Sequence, residues 1–557
     1  MPKSGLSIDI LGTSITISTD EEPEYLNTLL SKYRTAVESV QRVSGLDDPL
    51  KIAILTGFLL CDDLQQTGTS AGEKDSGEFE RLTLGMISSL NALDQVLMAT
   101  PDATRVSLLE KSLESPSREL PAVFLKLQNT VKNYEWGSPE WIPTLLGQAN
   151  PSRIPWAELW MGAHPAGPSR VLSDGKDLPL PELIASDPVF FLGKETAETF
   201  GKLPFLFKIL AAATPLSIQA HPNQEQAREG FQRENREGIP LDSPNRNYRD
   251  PRHKPEILCA LSSFAALCGF RERSEIKNFI SALLETTRSQ GGEEYLRKGL
   301  ESLVSALGSE AGTEEPASPA REGEISLKTF LAALFSLNAE TRKALGAFIR
   351  SKQSVLEKHF PLFKDEWTLC SYFSGLYPGD YGIIAPLFLN IIILEPGQAI
   401  YLPAGVLHAY IHGMAVELMA DSDNVLRGGL TSKRVDLDEL SRIIAFREYK
   451  PEILKKTEPD LPWFSYPGSA AEFTLSVMRS SGAGIPYPEK RASIVLVTTG
   501  SATITKNGEK SGENGAPIMT LKTGESIFIP GGDKAAIVFS GDFTAYAATT
   551  ASAPPGS

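Results

Sequence analysis

One short run near the middle of the chain constrains the fold most strongly. Residues 397–408 read Gly-Gln-Ala-Ile-Tyr-Leu-Pro-Ala-Gly-Val-Leu-His. Glycine, a short alternating segment and then Pro-x-Gly predict a turn, a strand and a second turn. His408, one of only six histidines in the chain, follows this second turn. An imidazole at such a place is a candidate metal ligand.

Two further segments complete a set of residues with metal-ligand spacing. Gln219 and His221 are two residues apart, so on a strand both side chains point to one face. Glu256 opens an apolar run that we predict as another strand. Two imidazoles, one carboxylate and one amide oxygen suit a borderline metal such as Zn²⁺, and the lack of a thiolate is typical of a catalytic site. We therefore predict one zinc ion per chain, bound by Gln219, His221, Glu256 and His408.

The same frame returns near the carboxyl end of the chain. Residues 521–535 align with residues 394–408, and the histidine's place is taken by Ala535. The two runs share a glycine, a proline and a second glycine at equivalent places: Gly397 and Gly524, Pro403 and Pro530, Gly405 and Gly532. This frame resembles that of the cupin barrels. We predict a second barrel that keeps the frame and has no metal.

Length and charge limit the class of protein. A chain of 557 residues is too long for one hydrophobic core, which predicts several domains. The net charge of −15 argues against a nucleic-acid partner. The four cysteines are scattered, as in a reducing compartment. Neither an amino-terminal apolar signal nor a membrane-spanning run is found, so we expect a cytoplasmic protein without a membrane partner.

Changes in composition divide the chain into domains. Polar and Gly/Pro-rich stretches separate helical from strand-rich texture, and residues 308–323 are predicted as a mobile loop. The predicted fold class is a double cupin of all-β jelly-roll barrels with an inserted α-helical domain and a small α+β, coiled-coil-like extension. The predicted domains are the extension (1–100), a linker (101–120), a catalytic cupin domain (121–270 and 377–435), a helical insertion (271–376) and a metal-free cupin domain (436–557).

The amino-terminal extension has a pattern of its own. Residues 7–19 predict a strand, a glycine turn and a second strand, and helical runs follow up to a narrow apolar stripe over 82–97. Residues 5–66 resemble the ZapA-like cell-division proteins. The resemblance implies a dimerising helix, hence self-association or contact with a division protein through residues 1–100. An ordinary helical hairpin, packed on itself or on the rest of the chain, is the alternative.

From about residue 121 to 550 the chain resembles the type I mannose-6-phosphate isomerases. The matching motifs are ordered along the chain, at residues 133–137, 157–165, 203–210, 216–222, 252–256, 264–270, 401–410 and 422–433. The resemblance implies a zinc-dependent aldose–ketose isomerase that interconverts mannose 6-phosphate and fructose 6-phosphate through a cis-enediol or enediolate. The alternatives are another cupin sugar-phosphate isomerase, or a division-associated scaffold fused to an isomerase body.

The resemblance also assigns roles to residues. Gln219, His221, Glu256 and His408 fall on the family's zinc ligands, and Arg427 on its catalytic arginine. His253 and Lys254 fall on a pair with ring-opening and proton-transfer roles, and Glu417 on strand-like sequence is a rival to Lys254 as the base. The predicted substrate contacts are Ser217, Lys208, Tyr410, Asp423 and Lys433. Gly-Gly after Arg427 departs from the family's frequent Ala-Gly.

Overall fold

The structure is a computed structural model that describes residues 4–10, 13–19, 124–173, 176–308, 319–456, 458, 461–506, 519–533 and 536–551. Contacts between Cα atoms divide the chain into two units, Met1–Glu119 and Leu120–Ser557. In the first unit, strand β1 (Ser4–Ile10) pairs antiparallel with strand β2 (Thr13–Thr19). The predicted strand, turn and strand over 7–19 are thereby confirmed, whereas the predicted helices and the stripe over 82–97 lie outside the described residues.

The second unit is built mainly from antiparallel strands. In chain order these are β3 (Leu125–Gln128), β4 (Thr130–Lys132), β5 (Glu158–Gly162), β6 (Arg170–Ser173), β7 (Lys176–Pro179), β8 (Phe205–Ala212), β9 (Ile218–Ala220), β10 (Glu256–Ala260), β11 (Phe264–Phe270), β12 (Leu389–Leu394), β13 (Ala399–Leu402), β14 (His408–Ala420), β15 (Leu426–Gly429), β16 (Trp463–Ser465), β17 (Thr474–Ser481), β18 (Ile485–Pro486), β19 (Ser493–Lys506), β20 (Met519–Lys522), β21 (Ser526–Ile529), β22 (Ile537–Ser540) and β23 (Asp542–Thr549).

Helices lie before, between and after the strands of the first sheet. They are α1 (Trp141–Leu145), α2 (Leu180–Ser186), α3 (Pro188–Leu192), α4 (Lys194–Phe200), α5 (Gln224–Arg236), α6 (Arg273–Ser289), α7 (Glu294–Leu307), α8 (Pro319–Ser336), α9 (Ala339–His359), α10 (Lys364–Leu376), α11 (Ala385–Phe388) and α12 (Leu437–Ile443), with 3₁₀ turns at Pro361–Phe363 and Tyr381–Ile384.

Two sheets account for all the described strands of this unit. In the first, the order is β12-β11-β14-β8-β5-β4, with β10 paired to β13 and β14, and β9 paired to β14 and β15. In the second, the order is β16-β17-β23-β19-β21-β3-β6-β7, with β20 and β22 on β19 and β18 on β22. Three strands from before residue 180 thus complete the second sheet. The predicted domain boundaries stay a prediction. The pairing of β3, β6 and β7 in the second sheet shows that strands from the first part of this unit also belong to the second sheet.

The helical insertion predicted over 271–376 corresponds to helices α6 to α10, between β11 and β12. Apolar residues at helical spacing explain them. In α7, for example, Leu296, Leu300, Leu303 and Leu307 are buried on one face. The loop predicted over 308–323 is wrong at its end, because α8 begins at Pro319. Proline suits the first turn of a helix, where its missing N–H has no intrahelical partner to lose.

The internal repeat is visible in the backbone. Gly397 and Gly524 have φ values of +87° and +83°, a backbone conformation that residues other than glycine rarely adopt. Each glycine lies in a turn closed by a similar bond, since Gln398 N–H donates to Glu395 O at 2.9 Å and Glu525 N–H donates to Lys522 O at 2.9 Å. Strands β13 and β21 each begin two residues after the glycine. The alanine at the histidine's place, Ala535, lies outside the described residues.

Two apolar clusters place the site. One joins the two sheets and includes Phe207 and Val416 of the first and Phe528 and Tyr546 of the second. The other fills the interior of the first sheet, next to the residues described below, with Leu210, Leu258, Phe264 and Tyr410 among its members. Within the described part of the chain, every helix is too short or too polar to cross a membrane.

Candidate metal centre

Three side chains converge inside the first sheet. His221, Glu256 and His408 are all buried, and each offers a ligand atom within 4.8 Å of the other two. His221 Nε2 lies 3.3 Å from Glu256 Oε1, and His408 Nε2 lies 3.6 Å from Glu256 Oε2. Among the described residues this is the one group of His, Cys, Asp or Glu with such spacing. The structure therefore brings together three of the four predicted metal ligands.

Strand register places the fourth predicted ligand beside them. Gln219, on β9, lies opposite His408 on β14 and opposite Arg427 on β15. Residues that face each other across antiparallel strands project from the same side of the sheet. Gln219, His408 and Arg427 consequently share one face, and His221 follows Gln219 by two residues at the end of β9.

Backbone carbonyls orient both imidazoles. The Nδ1 atoms of His221 and His408 lie 2.8 Å from Asn424 O and 2.9 Å from Val406 O. A carbonyl only accepts, so Nδ1–H is the donor and the neutral ring carries its lone pair on Nε2. Burial lowers the pKa of His221 to about 4 and also lowers the pKa of His408, which favours the neutral form of both rings.

One of these lone pairs faces nothing that could donate to it. His221 Nε2 is buried without a hydrogen-bond partner in the described part of the chain. A buried polar atom without a partner is uncommon and calls for an explanation, such as an ion. Neutral imidazole nitrogens and a carboxylate are ligands that Zn²⁺ prefers. The donor set present therefore fits a divalent metal.

Glu256 carries the negative charge of the cluster. Burial disfavours that charge, but the neighbouring Lys254 outweighs burial and holds the pKa of Glu256 well below its usual range. Lys254 Nζ is 3.0 Å from Glu256 Oε1 and is itself buried. The Tyr410 hydroxyl donates to Glu256 Oε2 at 3.5 Å. The carboxylate is thus ionised and held in place from two sides.

A second buried ionic group adjoins the first. Lys208 Nζ lies 3.0 Å from Glu417 Oε2 and 3.7 Å from Glu158 Oε1, and Trp160 Nε1 donates to Glu158 Oε2 at 2.6 Å. Burial raises the pKa of Glu417, and Lys208 only partly offsets this. The pKa of Lys208 is itself raised, because the two carboxylates outweigh its burial. Two buried carboxyl groups thus share one lysine side chain.

Arg427, opposite Gln219 on the neighbouring strand, carries a positive charge without a partner among the described residues. Arg427 is half-buried and makes no side-chain hydrogen bond or ion pair with any described residue. Burial, and then the neighbouring Arg249, lower the pKa of Arg427. Burial and Arg427 in turn lower the pKa of Lys433. Cations that lie close enough to lower a neighbouring cation's pKa are suited to binding an anionic ligand.

The remaining predicted residues lie at the edges of this arrangement. Ser217 is half-buried, one residue before β9, and Asp423 is exposed, with Oδ2 3.4 Å from His164 Nε2. His253 is turned toward Glu472, with His253 Nε2 2.7 Å from Glu472 Oε1. Their catalytic and substrate-binding roles stay predictions.

Sequence reasoning missed four contributors: Glu158, Asn424, Glu472 and the carbonyl of Val406. Glu158 lies in the motif at 157–165 and could have been singled out there. The two carbonyl oxygens have no sequence signal, because every residue has one.

The first of the two antiparallel sheets holds a buried His–Glu–His group with unpaired cations beside it. This arrangement defines a metal-binding protein with a site suited to an anionic ligand. The family described as "Phosphomannose isomerase type I, catalytic domain" matches residues 124–273. Mannose-6-phosphate isomerase of Escherichia coli (strain K12) is 37% identical over 407 residues, which are 72% of this chain and 94% of that protein. The Salmonella typhimurium protein of the same name is 36% identical over 419 residues, or 75% and 97%. The chain belongs to the mannose-6-phosphate isomerase family.

Solved structures agree with this assignment. A zinc-bound mannose 6-phosphate isomerase has a TM-score of 0.65 at 32% identity and covers 77% of this chain and 100% of its own. The Salmonella typhimurium enzyme bound to substrate (f6p) and a zinc atom gives the same values.

The amino-terminal region matches a second family, described as "Cell division protein ZapA", over residues 6–97. The predicted resemblance of this region to ZapA is confirmed, and the match extends beyond the residues 5–66 on which it was first based.

Proposed function

We propose that this chain is a zinc-dependent isomerase that interconverts mannose 6-phosphate and fructose 6-phosphate. The observation that carries the proposal is the buried His221–Glu256–His408 group, with an unpartnered Nε2 on His221, in a chain of this family. We further propose that both sheets are cupin-type jelly-roll barrels and that the amino-terminal extension is coiled-coil-like. We also propose a cytoplasmic location, in keeping with the scattered thiols.

The residues that would hold the metal are Gln219, His221, Glu256 and His408. Bound there, Zn²⁺ supplies Lewis acidity that stabilises negative charge on the sugar oxygens. The protein's own contribution is to keep both Nε2 lone pairs and the Glu256 carboxylate aimed at one point. The Nδ1 bonds to Asn424 O and Val406 O achieve this by fixing the two rings.

The reaction moves a proton between C1 and C2 of the open-chain sugar phosphate, through a cis-enediol or enediolate. We propose Glu417 as the base. Burial raises its pKa, which makes it a stronger base than an ordinary carboxylate. Lys254, the rival, is already engaged by Glu256, with its Nζ 3.0 Å from Glu256 Oε1. Exchange of the C2 proton with solvent deuterium should be lost in Glu417→Gln and retained in Lys254→Met; the opposite pattern would favour Lys254.

We assign the anionic end of the substrate to the unpaired cations. Arg427 and Lys433 bind phosphate or enediolate oxygens, with Ser217, Tyr410 and Asp423 as neighbouring polar contacts. Lys208 was predicted as a substrate contact, but two buried carboxylates already surround it. We therefore propose that Lys208 positions Glu417 rather than binding phosphate.

The experiment that tests the function compares substrates. Purified full-length protein, loaded with Zn²⁺, should convert mannose 6-phosphate to fructose 6-phosphate. Glucose 6-phosphate and other aldose phosphates should react far more slowly. Faster turnover of another aldose phosphate would instead support the alternative of a different cupin sugar-phosphate isomerase.

We further propose that residues 1–100 mediate self-association or contact with a division protein. The supporting observation is the match of residues 6–97 to the ZapA family. Sedimentation of the full chain should give an oligomer, and residues 121–557 alone should be active and smaller in association state. Equal states for both would contradict self-association through residues 1–100, and an inactive full chain that still self-associates would favour the scaffold alternative.

A further inference from the structure

A contact between the two sheets reaches the edge of the candidate metal centre. His253 Nε2 lies 2.7 Å from Glu472 Oε1. Glu472 comes two residues before β17, a strand of the second sheet, while His253 precedes β10 of the first. The sequence separation is 219 residues. The second sheet, which lacks the predicted metal-ligand histidine, thus contributes a carboxylate beside the predicted catalytic residues His253 and Lys254.

Both partners are held firmly on their own side. Phe473 and Ala470, on either side of Glu472, are buried in the cluster that joins the two sheets. The backbone N–H of His253 donates to Gln224 Oε1 at 3.3 Å, in the first turn of α5. The next residue, Lys254, sends its ammonium in the other direction, to Glu256 at 3.0 Å. His253 and Lys254 therefore form a short segment fixed at both side chains.

The chemistry of the contact determines which ring nitrogen carries the proton. A carboxylate only accepts hydrogen bonds, so the 2.7 Å contact requires a proton on His253 Nε2. In the neutral form of the ring the lone pair is then on Nδ1, which makes no hydrogen bond to any described residue. The His253 side chain is 30% exposed, so the ring is accessible to a ligand.

Stability alone does not account for the carboxylate. Glu472 Oε2 is buried and has no hydrogen-bond partner within the described residues. Leaving a charged, buried oxygen without a partner costs free energy, and such groups are concentrated where they serve a function.

We infer that Glu472 is a positioning residue for His253, fixing the imidazole as its Nε2–H tautomer so that Nδ1 serves as the proton acceptor in sugar ring opening. The inference rests on the proposed isomerase function. It makes the metal-free second sheet a part of the active site, through a residue that never needs to touch the substrate. In the ring-opening step, Nδ1 takes the proton of the anomeric hydroxyl, the C1–O1 double bond forms, and the C1–O5 bond breaks with its electron pair on O5. A water molecule protonates O5, and the hydroxide that remains takes the proton from Nδ1, which restores both the water and the neutral ring.

The direct test is spectroscopic and needs no activity. Long-range ¹H–¹⁵N spectra of the full-length protein with ¹⁵N-labelled histidine report the tautomer of each ring, and His253→Asn identifies the signal. We expect His253 as the Nε2–H tautomer in the wild type and as a mixture in Glu472→Gln, whose amide can both donate and accept. The Nδ1–H tautomer in the wild type would overturn the inference, whatever the variants do.

The kinetic test separates positioning from structure. Glu472→Gln should lower kcat about tenfold or more, the order seen when an outer hydrogen-bond partner is lost, with KM and zinc content unchanged. In the His253→Asn background the same change should have no further effect. The matched control is Glu452→Gln, an exposed carboxylate on the connection that leads to the second sheet, which should leave kcat unchanged.

Three outcomes contradict the inference. These are an unchanged kcat in Glu472→Gln, an equal loss in both backgrounds, and a loss explained wholly by a lower Tm. Should Glu472→Gln fold poorly, Glu472→Asp, which keeps the charge, is expected to retain the tautomer and part of kcat. A wild-type protein without isomerase activity would refute the proposed function, while the spectra would still decide the role of Glu472.

Discussion

The Nε2 atom of His221 lies 3.3 Å from Glu256 Oε1 and has no hydrogen-bond partner among the described residues. The opposite nitrogen of the same ring is bonded to Asn424 O at 2.8 Å. The ring is therefore fixed with its lone pair toward a carboxylate that cannot donate to it. A cation between the two explains both facts, and the first predictions follow from this relationship.

Replacing His408 by alanine should remove almost all of the bound metal. The variant loses one of two imidazole ligands from a site with few donors, so the metal's affinity should collapse. Metal content per chain after gel filtration measures this. His412→Ala is the matched control, because His412 lies on the same strand, β14, but is exposed. A full equivalent of metal in His408→Ala would rule out this site.

Arg427→Ala should keep the fold and the metal and lose most turnover. The guanidinium makes no ion pair in the described part of the chain, so its removal leaves no buried charge unpaired. An interaction made mainly in the transition state is typically worth ~10²–10³ in rate. Steady-state kcat, with Tm and metal content measured alongside, checks this. Arg288→Ala, an exposed pair with Glu301, is the control. A near-normal kcat in Arg427→Ala would reassign the residue to structure.

Lys208→Met should destabilise the protein strongly. It leaves Glu158 and Glu417 buried without their shared cation, and breaking a buried pair from one side typically costs about 3–5 kcal/mol. Denaturant unfolding gives the free energy of unfolding. Lys194→Met, from an exposed pair with Glu198, should change it by about 0–1 kcal/mol. Equal effects of the two substitutions would mean that the buried group adds little to stability.

The buried thiols should stay unreactive at ordinary pH. Burial raises the pKa of Cys259 to about 11 and that of Cys268 to about 12, from an ordinary value of 9.0. Because the folded-state pKa values are raised, both thiols favour the folded state below pH 9, and this contribution is lost as pH rises toward 11 to 12. Alkylation by iodoacetamide, mapped by mass spectrometry, should spare both residues in native protein at pH 8 and modify both in urea. Rapid native alkylation of either would contradict the burial.

The convergence of His221, Glu256 and His408 could be predicted from sequence because its frame is local. Turn glycines, strand alternation and the two-residue spacing of Gln219 and His221 are properties of short segments, and the register places Gln219 opposite His408. The roles of these residues as ligands stay predictions. The pairing of Lys208 with Glu417 joins residues 209 positions apart, so no local pattern could reveal it. The same holds for the 219-residue separation of His253 and Glu472.

Elements that depend on tertiary packing were also beyond the sequence. Strands β3, β6 and β7 resemble the neighbouring strands in composition, yet they pair in the second sheet. Which sheet a strand joins depends on which sheet edge is available in the folded protein, and the residues of a single strand do not specify this. The start of α8 at Pro319 was missed because a polar, Gly- and Pro-containing stretch was taken as a loop throughout.

One measurement tests the central claim most directly: isomerisation of mannose 6-phosphate by the full-length chain, followed before and after metal removal. The account predicts turnover in the purified protein, loss of turnover in parallel with loss of one equivalent of zinc on chelation, and recovery when Zn²⁺ is added back. Full activity in protein shown to contain no divalent metal would contradict it, as would a zinc-loaded protein that leaves mannose 6-phosphate unchanged.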